Sequence, residues 1–592
     1  RPLRERSPER IMQIANESLR KTGYEEISLS SLSTGDYCNL IPLLKEMNRH
    51  FSEKVVSISL PSLRVASVNI DVLREIKTVR KTGFTIAPEA ASERLRRVIN
   101  KDFNDEDYER ALHALFSEGW ENLKLYFMIG LPDERDEDVE AIPEMALRAI
   151  KVAKRYSKRF VNLSVTVSPF VPKPHTPFQW LGQEPIDKIK EKLEYLKEKL
   201  SRKKINYKGH DPRMSLLEAV LSRGDSDISN LIEEAWKKGC SLDAWIDWFD
   251  FNKWKAVSET AGIDLLKYAN RRFDLAEPLP WDIVDTGIKK EFLRKELKRA
   301  LSEEMTPECR EKCYGCGLNC ISNNEVKGET KLHNLRDELR VMGEGLLVTH
   351  TSKAGSHITQ QRLRVQFQKT GLLKYLSHRE LMTAIIRAVR RADIPVLYSQ
   401  GFHPSPRLSF GPPLNVGVSG LREYFDMEVK AGLPSNIKGS VLSLSKDRLN
   451  ETLPEGIRIN DVFLIKKSIP SLDSFIKRYE YEIICPGVMD ISDFMSKDNL
   501  VIERETAKGK ILSIDLKTMV ESLQIIDKDR LRLILIDQIE KVRLNEIIKA
   551  MFGAMVPVDI IRTGLFGWDS KGNRWVEVSE LLSSDTIWED NE

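Results

Sequence analysis

A chain of 592 residues has room for several domains, and 31% of it is charged, yet its net charge is only +3. Whole-molecule attraction to nucleic acid is therefore weak, and any basic binding surface must be local. No apolar run is long enough to span a membrane and no signal peptide opens the sequence, so a cytoplasmic protein with reduced cysteines and no membrane partner is expected.

The sequence begins at Arg1 rather than an initiator methionine, which suggests a fragment or a processed product. Strand-like and helix-like patterns then alternate. Short apolar strands are expected at 27–32, 55–60, 83–88, 123–129 and 161–167, with helices at 8–22, 39–51, 92–99, 105–118 and 136–156. Ser7 before Pro8 and Asn104 before Asp105 are helix starts. Repeated βα units imply parallel strands with right-handed crossovers, whose ligands sit at the carboxyl ends of the strands. Those ends carry Ser33-Thr34-Gly35-Asp36, Pro88-Glu89-Ala90-Ala91-Ser92-Glu93-Arg94 and Gly130-Leu131-Pro132-Asp133-Glu134. Small residues there let a ligand approach the backbone, and Glu89 is placed to accept hydrogen bonds from sugar hydroxyls. Taken singly, each turn also suits an ordinary helix cap.

Taken in order, these motifs resemble the radical S-adenosylmethionine (radical SAM) superfamily, in the branch where a cobalamin-binding domain precedes the barrel. Tyr126 to Pro132 looks like that family's adenine-side turn, and Pro88 to Arg94 like its ribose-contacting motif. The resemblance implies that Ser33, Thr34 and Gly35 meet the methionine amino group. It implies that Glu89 and Ser92 lie at the ribose, Lys101 near the methionine carboxylate, and Gly130, Leu131 and Pro132 at the adenine. Pro169-Phe170-Val171-Pro172-Lys173-Pro174 resembles the family's proline-rich exit from the sixth strand. The family's Cys-x3-Cys-x2-Cys loop does not follow the first strand. The opening nine residues resemble the segment just downstream of that loop. The resemblance therefore implies a partial (βα)6 barrel lacking its first strand. The ligands of the catalytic [4Fe-4S] cluster, and any cobalamin domain, would lie upstream of this chain. S-adenosylmethionine is the implied cofactor and an electron donor for cluster reduction an implied partner.

Residues 183–305 read as a helical extension, crowded with Trp236, Trp245, Trp248, Phe249, Phe251 and Trp254. Those rings suit packing or the cover of a substrate mouth. Next comes Cys309-Arg-Glu-Lys-Cys313-Tyr-Gly-Cys316-Gly-Leu-Asn-Cys320. Four thiolates on one short loop are suited to a metal, as an auxiliary Fe–S cluster or as zinc. A catalytic role for this loop is disfavoured, because it follows the barrel strands rather than the first of them. With 1–182 as the barrel and 306–321 as the cysteine loop, residues 322–358 read as a linker.

From 359 to 592 an α+β domain is expected. Its strands are placed at 362–367, 423–430, 479–484, 511–516, 531–536 and 556–562, with helices at 377–392 and 544–554. Two helices on antiparallel strands suggest ferredoxin-like halves. Leu376-Ser377-His378, Gly401-Phe402-His403-Pro404 and Ser409-Phe410-Gly411-Pro412 resemble a radical-SAM-associated domain of unknown function. Arg387, Arg390 and Arg391 on one helix side, with Phe402, His403 and Arg407 in the following loop, suit contact with RNA or a ribosome-associated substrate. His378 and His403 are also an acid/base pair to consider. The whole fits a radical SAM iron–sulfur enzyme acting on such a macromolecule. The alternative is a non-catalytic RNA- or protein-binding module with a structural four-cysteine site.

Overall fold

Ser7 and Pro8 start the first helix where the sequence places it. In α1 (Pro8–Thr22) the Arg10 amide bonds Ser7 Oγ at 3.3 Å and the Ile11 amide bonds Ser7 O at 3.1 Å. The computed structural model describes residues 5–318 and 360–582, apart from 32, 53, 61–62, 79–82, 158–160, 310–311, 401–403, 431–440, 467, 486–490, 506–510, 537–543, 553–558 and 571. Two units divide the chain: residues 1–12 with 26–333, and residues 13–25 with 334–592.

The first unit is α/β with parallel strands. Strands β1 (Glu26–Ser28) and β2 (Ser57–Ser59) form one parallel pair. A second parallel sheet runs in chain order through β3 (Phe84–Glu89), β4 (Asn122–Ile129), β5 (Asn162–Pro169) and β6 (Asn206–Gly209). Among the described residues no ladder joins β2 to β3, so the six strands stand as two sheets. Helices α2 (Leu40–Phe51), α3 (Ile70–Ile76), α4 (Glu93–Val98), α5 (Asp105–Ser117) and α6 (Asp136–Tyr156) alternate with the first five strands. α5 begins on a full capping box between Asn104 and Asp107. Along β4, Leu123, Leu125, Phe127 and Ile129 are buried on one face, the period-two burial of a half-covered strand.

Beyond β5, α7 (Ile186–Arg202) leads back to β6, whose Asn206 to Gly209 pair with Ser164 to Val167 of β5. Asn206-Tyr207-Lys208-Gly209 has no apolar alternation, because it is an edge strand with largely exposed side chains. Pattern reading therefore takes the segment as part of a helical region. Helices α8 (Pro212–Arg223), α9 (Ile228–Lys237), α10 (Phe251–Thr260), α11 (Leu265–Asn270) and α12 (Lys290–Leu301) follow. Leu216, Val220, Leu231, Trp254, Val257 and Leu265 form a core shared by α8 to α11, while Leu293 and Leu297 of α12 pack with Trp180 and Trp281.

The second unit holds a nine-stranded sheet. Its first half comprises β7 (Gln360–Lys369), helix α13 (His378–Arg391), β8 (Leu408–Phe410), β9 (Val418–Lys430), helix α14 (Val441–Thr452) and β10 (Ile457–Ile465). These strands lie in the order β10-β7-β9-β8, all antiparallel. After the short helix α15 (Leu472–Phe475), the second half repeats this plan. It has β11 (Ile476–Ile484), helix α16 (Ser492–Ser496), a separate hairpin β12 (Val501–Glu505) and β13 (Ile511–Asp515), then β14 (Val520–Asp527), β15 (Arg530–Ile536), helix α17 (Leu544–Phe552) and β16 (Asp559–Asp569). Here the order is β16-β11-β15-β14, again antiparallel. β17 (Arg574–Glu577) adds to β16. Each half therefore lays its strands in the spatial sequence fourth, first, third, second.

The halves meet where β16 pairs with β9 in parallel over Ile560–Arg562 against Val418–Gly420. Arg562 and Glu423 are buried at this seam. Arg562 Nε donates to Glu423 Oε1 at 2.9 Å, its Nη2 also reaches Glu423 Oε2, and Nη2 donates to Pro412 O at 2.9 Å.

Candidate nucleotide site

The carboxyl ends of β3 and β4 are neighbours, and each is shaped by a left-handed residue. Glu89 ends β3 at φ +66, after a break in register between Ile86 and Glu89. A non-glycine residue held there costs about 1–2 kcal/mol, a strain that concentrates at functional sites. Its carboxylate is partly exposed and pairs with Lys101 at 3.0 Å. Two residues predicted to serve ribose and methionine carboxylate thus meet each other. Ser92 caps α4 by accepting from the Leu95 amide at 3.2 Å, and its hydroxyl donates to the buried Asp138. Asp138 also takes Arg94, whose Nη2 donates to Asp133 O at 2.6 Å. Burial would raise the Asp138 carboxyl, but Ser92, the Arg135 amide and Arg94 hold it below its usual range. Ser92 is thereby a structural anchor of the turn.

Gly130 follows β4 at φ +74. Its amide donates to Glu134 Oε1 at 2.9 Å, and the Leu131 amide reaches Glu134 Oε2 at 3.4 Å. Lys192 on α7 bonds Glu134 at 2.7 Å and Glu184 at 2.6 Å. Burial lifts the Glu134 carboxyl above its ordinary value against the pull of Lys192. Burial would lower the Lys192 ammonium, but the two glutamates outweigh it and raise it. Glu134, Glu184 and Lys192 were not singled out from the sequence. The glutamate four residues after a turn glycine was the available signal.

A Cβ on Gly130 would lie 3.1 Å from Glu184 Oε2. Gly130→Ala is therefore expected to destabilise the first unit by about 1–2 kcal/mol, from the left-handed backbone alone. Calorimetry should show its unfolding midpoint lowered by about 2–4 °C per kcal/mol. An unchanged midpoint would mean the turn relaxes without cost.

After β1, Thr34 is buried and its hydroxyl donates to Leu29 O at 3.2 Å. Ser33 Oγ is buried with no hydrogen-bond partner among the described residues. Such an orphan hydroxyl is costly unless a ligand completes it. A Cβ on Gly35 would lie 2.4 Å from Ser67 Cβ, so only glycine fits that turn. Asp36 faces Ser67 Oγ at 3.4 Å and Arg64 at 3.3 Å. These turns thus carry a partly exposed acid at the end of β3, a left-handed glycine after β4 and, among the described residues, a buried hydroxyl without a partner after β1.

Cys309 and Cys313 are exposed and Cys316 is half-buried, while Cys320 lies outside the described residues. Among the described residues no group of three or more His, Cys, Asp or Glu side chains is placed to hold a metal ion. No ligand set for an iron–sulfur cluster is therefore assembled among them. The aromatic crowd divides. Trp254 is buried in the helical core, whereas Trp236, Trp245 and Trp248 are exposed.

In the second unit, Phe402 and His403 fall outside the described residues. The Arg387 guanidinium lies 4.0 Å over the Tyr24 ring. Arg390 bonds Tyr398 Oη, Arg391 donates to Thr22 O at 3.2 Å and to Thr452 O, and Arg407 pairs with Glu428 at 2.8 Å. Ser377 and Glu380 form a capping box at the start of α13. His378 packs edge-on against Phe410 with ring centroids 5.9 Å apart, which brings two of the quoted sequence motifs together.

Burial and then the Lys369 and Arg562 cations lower the His378 pKa, against Glu423. An unfolded histidine takes its proton near pH 6.5, where the folded one resists it. The unfolded state therefore binds more protons as pH falls through that value, and stability drops. Amide protection factors in α13, which remove the intrinsic pH dependence of exchange, should fall on acidification from about pH 7.5 to about 5.5, and less so in His378→Gln. A pH-independent α13 in the native sequence would contradict this.

Residues 1–146 match the Radical SAM superfamily, and residues 362–549 match a family described as an uncharacterized protein conserved in bacteria (DUF2344). A radical SAM domain is present, followed by a DUF2344 domain. The chain is also 32% identical over 267 residues to the "Uncharacterized protein MJ0966" of Methanocaldococcus jannaschii. That similarity covers 43% of this chain, which spans 56% of the length of that relative. The superfamily implies S-adenosylmethionine and a [4Fe-4S] cluster. Among the described residues no helix is long and apolar enough to cross a membrane.

Proposed function

We propose that this chain forms much of a radical SAM iron–sulfur enzyme in which the first unit binds S-adenosylmethionine and the second recruits RNA or a ribosome-associated substrate. The observation that carries the nucleotide assignment is Glu89, held at φ +66 where β3 ends beside the Gly130 turn. In this proposal Glu89 accepts the ribose hydroxyls and Lys101, released from it, turns to the methionine carboxylate. Ser33, Thr34 and Gly35 receive the amino group. Gly130, Leu131 and Pro132 line the adenine, on a turn held from beneath by Glu134. Ser92 keeps the Glu89 turn in place through Asp138. When bound, the iron–sulfur cluster of the superfamily supplies the electron for radical chemistry. The protein's own part is to hold the sulfonium nucleotide and exclude water from it. A cobalamin-binding domain on the amino-terminal side, and an auxiliary iron–sulfur or zinc centre on the loop of Cys309, Cys313, Cys316 and Cys320, belong to the same proposal.

For the second unit, the repeated fourth-first-third-second strand order supports two ferredoxin-like halves, a plan shared with RNA-binding sheets. An arginine stacked on the exposed Tyr24 supports a surface on which bases could stack. Calorimetric titration of the full chain with S-adenosylhomocysteine tests the nucleotide assignment. Stoichiometric binding supports it, and a titration with no heat overturns it.

A further inference from the structure

The tryptophans of the helical extension have two fates. Trp254 is 5% exposed inside the core of α8 to α11, whereas Trp236, Trp245 and Trp248 are 71%, 67% and 64% exposed. Leu242 and Ile246 are exposed beside them in sequence. A lone apolar residue in water needs no explanation, but Leu242, Trp245, Ile246 and Trp248 all crowd residues 242–248.

The backbone there is built on the helical core. At the end of α9, Gly239 turns the chain at φ +80, and the Cys240 amide donates to Ala235 O at 3.0 Å. Two turns follow, in which the Trp245 amide donates to Leu242 O and the Trp248 amide to Trp245 O, each at 2.9 Å. Cys240 before the turns is buried in the core, and Phe249 after them packs against it. Leu242 stands at φ +59, a strained conformation for a branched residue. That strain holds an apolar side chain out in water rather than in the core.

The charge of the stretch is one-sided. Residues 239–250 carry Asp243, Asp247 and Asp250 and no lysine or arginine. Asp250 caps α10 by accepting from the Asn252 amide at 3.0 Å. Among the described residues, Asp243 Oδ1 is buried without a hydrogen-bond partner and the Asp247 carboxylate has no ion pair. Lys237, at the end of α9, is held by Glu233 and Glu234 at 3.0 and 2.8 Å. Lys238, Lys253 and Lys255 lie outside the stretch and pair with neither Asp243 nor Asp247. A carboxylate oxygen buried without a donor is costly, and a cation that reached it would recover that cost.

Exposed indoles beside free carboxylates select one partner chemistry. A guanidinium stacks on an indole face and donates as a fork to a carboxylate. Nucleic acid would bring phosphates against Asp243 and Asp247, and an anionic membrane surface would be repelled in the same way. A second copy related by a two-fold axis would set like charge against like. We propose that Leu242 to Trp248, together with Trp236, is a docking surface for an arginine-rich polypeptide segment of another protein. The surface is independent of the nucleotide assignment. It adds a protein contact on the first unit to the substrate contact proposed for the second.

Anisotropy of a fluorescently labelled arginine–glycine–serine repeat peptide, titrated with the full chain, tests this. The native chain should bind the peptide, with an affinity that falls as salt rises. Trp245→Ala with Trp248→Ala should weaken binding by about tenfold or more. That variant keeps every charge, so its loss separates this face from general attraction to an acidic surface. Asp243→Asn with Asp247→Asn should also weaken binding, and should flatten its salt dependence. The same peptide with citrulline in place of arginine should not bind. All four side chains are at least partly exposed, so circular dichroism should show both variants folded. No binding by the native chain, equal binding by the tryptophan variant, or equal binding of the citrulline peptide would each overturn the proposal. So would a tryptophan-dependent affinity for an RNA oligonucleotide or for phosphatidylcholine vesicles in place of the peptide, or a tryptophan-dependent dimer in ultracentrifugation.

Discussion

Glu89→Ala is expected to weaken S-adenosylhomocysteine binding by about tenfold to a hundredfold, because a hydrogen bond to a charged group is worth ~1.5–3 kcal/mol. The loss should come from binding and not from folding. Glu89 and Lys101 form a partly exposed pair, and such pairs contribute about 0–1 kcal/mol. Alanine retains the left-handed backbone strain, so the turn gains nothing from the change. Glu89→Gln should lose less, since its amide oxygen still accepts from a hydroxyl. Calorimetric titration of both variants, with circular dichroism as a control, checks this. Native affinity in Glu89→Ala would place the ribose elsewhere.

The second large effect concerns the seam of the second unit. Arg562→Ala leaves Glu423 buried without its cation and Pro412 O without its donor. Breaking a buried pair from one side costs about 3–5 kcal/mol. Burial would lower the Arg562 pKa, but Glu423 outweighs it, so the guanidinium stays charged. The parallel pairing of β16 with β9 spans three residues on each strand, too few for backbone bonds alone to fix its register. The ion pair supplies that register. Arg562→Met combined with Glu423→Leu should therefore recover part of the lost stability, because no buried charge is left alone. Hydrogen exchange in β9 and β16 measures the opening free energy locally. Unchanged protection in Arg562→Ala would show that the seam stands without the pair.

Legibility in the sequence followed local physics. α1 and α6 carry strong apolar periodicity and were readable end to end, and the helix expected at 377–392 is α13 with its caps. β6 was missed because an exposed edge strand has no alternation to read. The division of the six strands into two parallel sheets depends on pairing between distant segments, which no local pattern records. For the same reason the fourth-first-third-second order of the second unit had to come from register. In the site, Glu89, Ser92, Lys101 and Gly130 were named from motif order, but the pairing of Glu89 with Lys101 and the partners of Ser92 and Gly130 were not. Asp138 meets Ser92, and Lys192 meets Glu134, across tens of residues. Likewise, an ion pair from Arg64 to Glu308 spans more than two hundred positions and leaves no trace in spacing.

Photocrosslinking the full chain with an S-adenosylmethionine analogue bearing an azido-adenine tests the central claim most directly. Peptide mapping should place the label on the turn after β4, at Gly130 to Pro132, and unlabelled S-adenosylhomocysteine should compete it away. Label confined to the second unit, or label that S-adenosylhomocysteine does not displace, would contradict the account.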